Sequence, residues 1–156
     1  MKRLLVVAMM ALIAGSAYAQ LWDVSHDEDL MSGTTQAFVM GTAEISQGTL
    51  RDAMFVFRFT DDALRAYVYW GGYNMEDPPF IAMRFGDDDP EVVRGTLSTT
   101  REATFFPDDW YILERLLALG PEGKVVIQAE RNTGVMSTAR WIVGDLAEHV
   151  AEFVDR

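Results

Sequence analysis

The sequence predicts a mainly β fold of the α+β class, an antiparallel β-sandwich or half-barrel with two helices late in the chain. Two observations support this prediction. Between residues 21 and 98, short runs of aromatic and β-branched residues are interrupted every eight to twelve residues by Gly, Asp, Asn or Pro, which is typical of antiparallel strands. Later in the chain, apolar residues recur with helical spacing in two segments.

The first half of the predicted domain contains a buried strand at 34–43 and then a β-hairpin. In DAMFVFRF, residues 52–59, three phenylalanines alternate with Met, Val and Arg, so one face of the strand is aromatic. LRAYVYW, residues 64–70, returns after a turn at 60–63 and places its two tyrosines on one face. Two alternating runs joined by a short turn indicate a hairpin.

Two further hairpins are predicted in the second half. FIAMRFG (80–86) and VVRGTLS (92–98) flank an acidic turn that ends in proline. KVVIQAER (124–131) and VMSTARWIV (135–143) flank an Asn-Thr-Gly turn. Together with the strands predicted earlier in the chain, these hairpins predict a single domain built from antiparallel β-sheet.

The two helices are predicted from spacing and from their end signals. PDDWYILERLLALGP, residues 107–121, begins with Asp108 or Asp109 as N-cap and ends at a Gly-Pro pair. The last segment of the chain has one apolar helical face with acids on the other. That face comprises Leu146, Val150, Phe153 and Val154.

Residues 1–19 have the pattern of a secretory signal peptide: a basic start, an apolar run at 4–13, and small residues ending in Ala-Tyr-Ala. Cleavage is expected between Ala19 and Gln20. An uncleaved membrane anchor is the alternative, but an apolar run of about ten residues is half of the roughly 20 that span a bilayer. We expect residues 20–156 to form a single β-rich domain, periplasmic or secreted, without stable membrane insertion.

Charge and cysteine content exclude several classes of function. The chain has 13 Lys and Arg against 24 Asp and Glu, a formal net charge of −11, which repels nucleic acid and anionic lipid surfaces. It contains no cysteine, which excludes thiol nucleophiles, disulfides and cysteine-based zinc sites. No cofactor is expected.

The stretch DVSHDEDLMSGTTQ, residues 23–36, combines a run of acids with a histidine, as some calcium-binding loops do. An EF-hand loop beginning at Asp27 would have Met31 at a ligand position, Ser32 where glycine is required and Phe38 where glutamate is required. We therefore predict a polar turn between two strands, with Met31 pointing inward as an anchor.

No metal site or catalytic residue is predicted. The carboxylates that a hard cation such as calcium would use are Asp27, Asp29, Asp87 and Asp89. The two histidines, His26 and His149, lie far apart in the sequence and neither belongs to an HExxH, GxSxG or SxxK pattern. His149 is spaced to form a surface cluster with Asp145 and Glu152.

Aromatic residues and carboxylates come together between residues 67 and 77. Such a group can form a platform for a sugar or a peptide, whereas alternation along a strand favours a core position for every second ring. The predicted alternation favours the core, and the platform remains the alternative. The candidate binding surface consists of Tyr69, Trp70, Tyr73 and Arg94.

Several stretches, taken in order, resemble one family of small exported proteins. They are LWDV, DEDLMSGTTQAFVMGTAE, FVFRFTDDALRAYVYW, MRFGDDDPEVVRGTLSTTREATFFPDDWYILERLL and RWIVGDLAEHVAEF. Their order resembles the TagO/VasI family, accessory proteins of bacterial type VI secretion, over nearly all of residues 20–156. Members of that family often carry a cysteine pair, whereas the corresponding places here, near Arg58-Phe59 and near Phe153, have no cysteine.

The resemblance implies a non-enzymatic exported domain that contacts another envelope or secreted protein, and it provides no catalytic residue. Two alternatives remain at the level of sequence. One is a small envelope hydrolase or glycan-binding protein that uses carboxylates, since 24 acids allow many pairs. The other is an exported domain with no link to secretion.

Overall fold

The computed structural model describes residues 21–28, 31–61 and 63–155, and these contain eleven strands. The strands are β1 (Trp22–Glu28), β2 (Thr35–Thr42), β3 (Ile45–Gln47), β4 (Met54–Phe59), β5 (Leu64–Tyr69), β6 (Phe80–Phe85), β7 (Glu91–Arg94), β8 (Thr96–Leu97), β9 (Ala103–Phe105), β10 (Lys124–Glu130) and β11 (Met136–Ile142). The predicted signal peptide and its cleavage site lie outside the described residues.

All strand pairs are antiparallel, and they form two sheets. The six-stranded sheet has the order β1-β2-β4-β5-β9-β8, and the five-stranded sheet has the order β3-β11-β10-β6-β7. The prediction of a mainly β, sandwich-like fold is confirmed. The three predicted hairpins are also confirmed, as β4–β5, β6–β7 and β10–β11.

The core lies between the two sheets and is built on the aromatic face of β4. Phe55 and Phe57 are fully buried, and their ring centroids are 5.0 Å apart. Trp141 of β11 meets Phe55 edge-on at 5.5 Å, and its indole N–H donates to the carbonyl oxygen of Gly41 in β2 at 3.0 Å. The alternation in the sequence therefore places every second side chain of β4 against the opposite sheet.

The first helix, α1 (Asp109–Leu119), closes one side of the core. The Asp108 carboxylate accepts a hydrogen bond from the Tyr111 N–H at 3.0 Å, as an N-cap does, and the helix ends at Gly120. Asp109 accepts a hydrogen bond from the Ala66 N–H at 2.7 Å and so fixes the helix against β5. Its buried side chains are Ile112, Leu113 and Leu116.

The second helix, α2 (Leu146–Val154), covers the core at the end of the chain. Leu146 and Val150 are buried, whereas Val154 is exposed, so the predicted apolar face is wrong at its last residue. Val154 is the last residue of the helix and borders an open hollow beside Phe59 and Trp110. The predicted pairing of His149 with Asp145 is confirmed, with 3.0 Å between Nε2 and Oδ2.

The turn predicted across residues 23–36 is shorter than expected. Residues up to Glu28 continue β1 and pair with β2 as far as Thr35, so the acidic residues at 27 and 28 belong to a strand. Met31 lies at the tip of the connection and is 96% exposed. The prediction of an inward Met31 is wrong, because the longer strand carries the connection beyond the edge of the core.

The run VVRGTLS forms two strands rather than the single one predicted. Gly95 separates β7, which belongs to the five-stranded sheet, from β8, which belongs to the six-stranded sheet. Its N–H donates to the carbonyl oxygen of Pro79 at 3.0 Å. The chain therefore passes from one layer of the sandwich to the other at this glycine.

Candidate functional site

Exposed apolar side chains lie on the outward side of the five-stranded sheet, and three of them line one hollow. Among the described residues, four of its strands each expose a large one: Ile45 by 41%, Phe80 by 58%, Val92 by 64% and Met136 by 42%. Single exposed apolar residues are ordinary on protein surfaces, but a contiguous group marks an interaction site. We call this outward side of β3, β11, β10, β6 and β7 the outer face.

The strand register arranges the outer face in rows across the sheet. From one end to the other, these rows are Arg94–Phe80 with Glu130–Met136, then Val92–Ala82–Gln128–Thr138, then Arg84–Val126–Arg140. Successive rows lie two residues apart along each strand, about 6–7 Å. In the middle row, the side-chain amide of Gln128 donates to the Thr138 hydroxyl oxygen at 2.9 Å. The middle row therefore protrudes little from the sheet, and its polar side chains are hydrogen-bonded to each other.

Two shallow hollows lie side by side on the outer face, and both are bordered by Ala82 and Gln128. The first is also lined by Glu76, Pro78, Phe80, Val92, Glu130 and Met136, and the second by Met83, Arg84, Pro90, Val126 and Thr138. The hollows adjoin because Ala82, between Phe80 and Arg84 on β6, has only a methyl group. Together they form a groove that fits side chains of another protein segment better than a large rigid ligand.

The guanidinium groups of two arginines on the outer face have no partner among the described residues, and we call these two residues the open arginines. Arg84 and Arg94 are exposed, and neither forms a hydrogen bond or an ion pair with another described residue. By contrast, Glu44 accepts from Arg140 Nε at 2.8 Å and lies 3.9 Å from Lys124 Nζ. Arg84 and Arg94 are therefore available to carboxylates from outside the chain.

The outward side of the six-stranded sheet is also apolar, but its own side chains cover it. Val56 points outward between Met40 and Tyr67 in neighbouring strands, yet it is only 4% exposed. Burial in this layer raises the pKa of Tyr67, and the nearby charge of Arg58 opposes the rise. The most exposed large apolar side chains of the described strands all belong to the five-stranded sheet. The outer face is therefore the better candidate.

A polar network fixes the β6–β7 hairpin against α1. Arg115 donates to Asp88 at 2.8 Å and to the Tyr111 hydroxyl oxygen at 3.0 Å, and its guanidinium carbon lies 4.6 Å from the centre of the Phe85 ring. The Tyr111 hydroxyl donates to Glu91, 2.9 and 3.0 Å from its two carboxylate oxygens. The hydrogen bond to Glu91 is the main cause that raises the pKa of Tyr111, while Arg115 opposes it. The strand that forms one edge of the outer face is thereby held in position.

The carboxylates considered for a metal ion are not gathered into a site. Asp27 is exposed on β1, and Asp87 and Asp89 are exposed in the turn between β6 and β7. Asp29 lies outside the described residues. In the part of the chain that the structure describes, no group of three or more His, Asp or Glu side chains is arranged to hold a metal ion.

The four residues predicted as a binding surface are not brought together. Trp70 is fully buried and donates from its indole nitrogen to a threonine hydroxyl at 2.9 Å, because the alternation that turns Tyr69 outward turns its neighbour inward. The ring of Tyr73 is covered by the Arg131 guanidinium, 4.1 Å from its centre. Trp70 therefore occupies the core position that the alternation favoured and does not belong to the candidate surface, so a sugar platform built on it is not favoured. Arg94 alone lies on the outer face.

Sequence reasoning missed the apolar residues that form the outer face, Phe80, Ala82, Val92 and Met136. A signal for two of them was present in FIAMRF. Phe80 and Ala82 point outward while Ile81 and Met83 point into the core, so both sides of β6 are apolar. A strand that is apolar on both sides needs a second covering layer, and the outer side of β6 has none among the described residues.

The chain matches no protein-family model, and no curated protein or solved structure matches it significantly. Neither of the helices in the described ranges has the length and apolar character needed to cross a bilayer. A functional proposal therefore depends on the geometry of the outer face.

Proposed function

We propose that the protein is an exported, non-enzymatic interaction module of the cell envelope that binds another envelope or secreted protein through its outer face. The observation that carries this proposal is that three exposed apolar side chains, Phe80, Val92 and Met136, line one hollow of the outer face. Arg84 and Arg94, which form no ion pair with a described residue, lie on the same face. Protein interfaces combine an apolar centre with a polar rim in which arginine is enriched.

The resemblance to the TagO/VasI family supports a role beside a type VI secretion apparatus. The places that correspond to the family's cysteine pair lie near Phe59, at the end of β4, and Phe153, in α2. These two rings stack with their centroids 4.6 Å apart and 15° between their planes. The contact between the two rings thus joins the end of β4 to α2, the same two segments that a cysteine pair would join. These segments therefore stay in contact although the chain has no cysteine.

Export is expected to produce a mature chain that begins at Gln20, which intact-mass measurement of periplasmic and secreted fractions would detect. Signal peptidase requires a small residue immediately before the cleaved bond. The variant Ala19→Arg should therefore accumulate as a longer precursor. Finding the wild-type protein in the cytoplasm with residues 1–19 still attached would contradict the export part of the proposal.

Removing the apolar side chains of the outer face is expected to weaken partner capture strongly. In a pull-down from envelope extract, Phe80→Ser combined with Val92→Ser should retain about tenfold less of the partner than wild type, since a small cluster of residues supplies most of the binding energy. Trp110→Ser is the matched control, because Trp110 is 46% exposed but lies on α1.

Both pull-down variants should keep the wild-type circular dichroism spectrum, and their unfolding midpoints should fall only modestly, because each variant removes side chains that are about half exposed or more. Capture of the same partner in equal amount by the double variant would show that the outer face is not the interface. Loss with Trp110→Ser instead would move the interface to the helix.

A further inference from the structure

One oxygen of the Asp145 carboxylate lacks a donor at the start of α2. Asp145 occupies the N-cap position of this helix, but its side chain accepts no hydrogen bond from the first turn. Oδ2 lies 3.0 Å from Nε2 of His149, whereas Oδ1 is buried and has no hydrogen-bond partner among the described residues. A buried polar atom without a partner is costly, and native proteins satisfy nearly all of them. We therefore looked for a donor near Oδ1 that the described residues do not include.

The beginning of the described chain runs towards this carboxylate. The indole N–H of Trp22 donates to the carbonyl oxygen of Ile142 at 3.2 Å. One residue earlier, Leu21 lies against Gly144, since a Cβ added to Gly144 would be 2.7 Å from Cδ1 and 3.5 Å from Cβ of Leu21. The contacts thus advance from residue 142 to residue 144 as the N-terminal segment is followed from 22 back to 21. The next residue after Gly144 is Asp145.

Removal of the signal peptide creates a new donor next to Leu21. Gln20 lies outside the described residues, but one peptide bond joins it to Leu21, so its α-nitrogen is within about 5 Å of the Leu21 Cα. Before cleavage this nitrogen is an uncharged amide. After cleavage it is an α-amine with a pKa of about 7.7–8.0, which is mostly protonated at neutral pH.

We infer that signal cleavage stabilises the folded domain, because the new α-ammonium group of Gln20 donates to Oδ1 of Asp145. This inference rests on the export part of the proposed function and adds to it a contact that only the mature chain forms. Hydrogen bonds between groups of opposite charge are stronger than those between neutral groups. Because His149 keeps Oδ2, the carboxylate joins the N-terminal segment to α2.

The contact fixes the free end of an edge strand. β1 lies at the end of the six-stranded sheet and pairs with β2 alone, yet its first residue, Trp22, is buried in the core. Chain termini fray unless they are tied down. The ammonium group therefore opposes fraying of β1 from the side of Trp22, and the unprocessed chain, which lacks it, unfolds more readily.

Urea unfolding of chains with defined N-termini, at about pH 7, tests this inference. Two forms begin at Gln20. One has the free α-amine, and in the other glutaminyl cyclase has joined the α-nitrogen to the side-chain carboxamide carbon with release of ammonia, which removes the charge. A third form keeps residues 18 and 19. The unfolding equilibrium constant should be about tenfold smaller for the free amine than for the other two. Intact mass identifies each form.

Asp145→Asn separates this contact from any other effect of the N-terminus. Without the carboxylate charge, cyclisation of Gln20 should change the unfolding equilibrium constant by about twofold or less. His149→Ala is the matched control, because it removes the other partner of the same carboxylate. In that variant cyclisation should still raise the constant about tenfold. Circular dichroism checks that each chain is folded, and Asp145→Ser serves the same purpose if Asp145→Asn does not fold.

Two results would overturn the inference. Cyclisation that destabilises wild type and Asp145→Asn equally would show that the ammonium group acts at another place. Cyclisation without effect on wild type would show that Oδ1 is satisfied by water. Neither result depends on export, because the N-termini are set during preparation, so export is judged separately from the mass of the periplasmic and secreted protein. Partner capture through the outer face is likewise tested independently.

Discussion

Replacing Phe55 with alanine is expected to lower the free energy of unfolding by about 3–5 kcal/mol, a large part of the about 5–15 kcal/mol that a domain has in total. The Phe55 ring is fully buried and meets the rings of Trp22, Phe57, Phe106 and Trp141 at centroid distances between 5.0 and 6.1 Å. Because these neighbours come from both sheets, they cannot move together to fill the cavity. Urea unfolding of the mature chain measures the loss.

Phe80→Ala is the matched control for this core substitution. It deletes the same ring from a strand of the other sheet, but Phe80 is 58% exposed, so its removal should lower the free energy of unfolding by only about 1 kcal/mol. Equal losses for Phe55→Ala and Phe80→Ala would show that the packing of the core is wrongly described. A clear difference would also establish that variants of the outer face can be used in binding experiments without loss of the fold.

The sequence alone predicts the parts of the fold that depend on neighbouring residues. The phenylalanines at every second position of β4 identify its buried face because a strand has a period of two. Asp108 and Gly120 mark the ends of α1 because capping chemistry is local. The hairpins are predictable for the same reason, since each of their turns joins two adjacent runs.

The pairing of distant strands is not predictable in this way. β9 was missed because ATF, at 103–105, is too short to show alternation, and its place beside β5 depends on pairs such as Tyr67 with Phe105. β3 was missed for the same reason, as three residues that pair with β11. These contacts join segments that lie far apart in the chain, so their partners are decided by the packing of the whole sandwich.

The candidate site is even harder to predict from the sequence than the strand pairing. Its existence depends on which face of each sheet is covered by other elements and which is exposed. Phe80 and Trp70 are both aromatic residues at the ends of strand-like runs, but one is exposed and the other is fully buried. Which of them faces solvent depends on strand phase and on the side occupied by the opposite layer. Likewise, Arg84 forms no ion pair with a described residue, whereas Arg140 pairs with Glu44.

Replacing Gly95 with alanine is expected to lower the free energy of unfolding by about 2–3 kcal/mol, because an added methyl group overfills a closed space. A Cβ at this position would collide with the carbonyl oxygen of Phe105 and come within 2.8 Å of Cδ1 of Ile81. The backbone oxygen cannot turn away as a flexible side chain could, so the strands must separate where the chain crosses between sheets. Urea unfolding measures this loss as well.

Gly33→Ala separates the effect of crowding from that of backbone conformation. Gly33 has a positive φ of 68°, yet no atom lies within 4 Å of an added Cβ, so its cost of about 1 kcal/mol is purely conformational. A loss at Gly95 no larger than that at Gly33 would contradict the close crossing of the two layers. Since Arg94 directly precedes Gly95, separation of the strands should also displace one of the two open arginines. Gly95→Ala should therefore weaken partner capture in the pull-down from envelope extract, whereas Gly33→Ala, in the distant β1–β2 connection, should leave it unchanged.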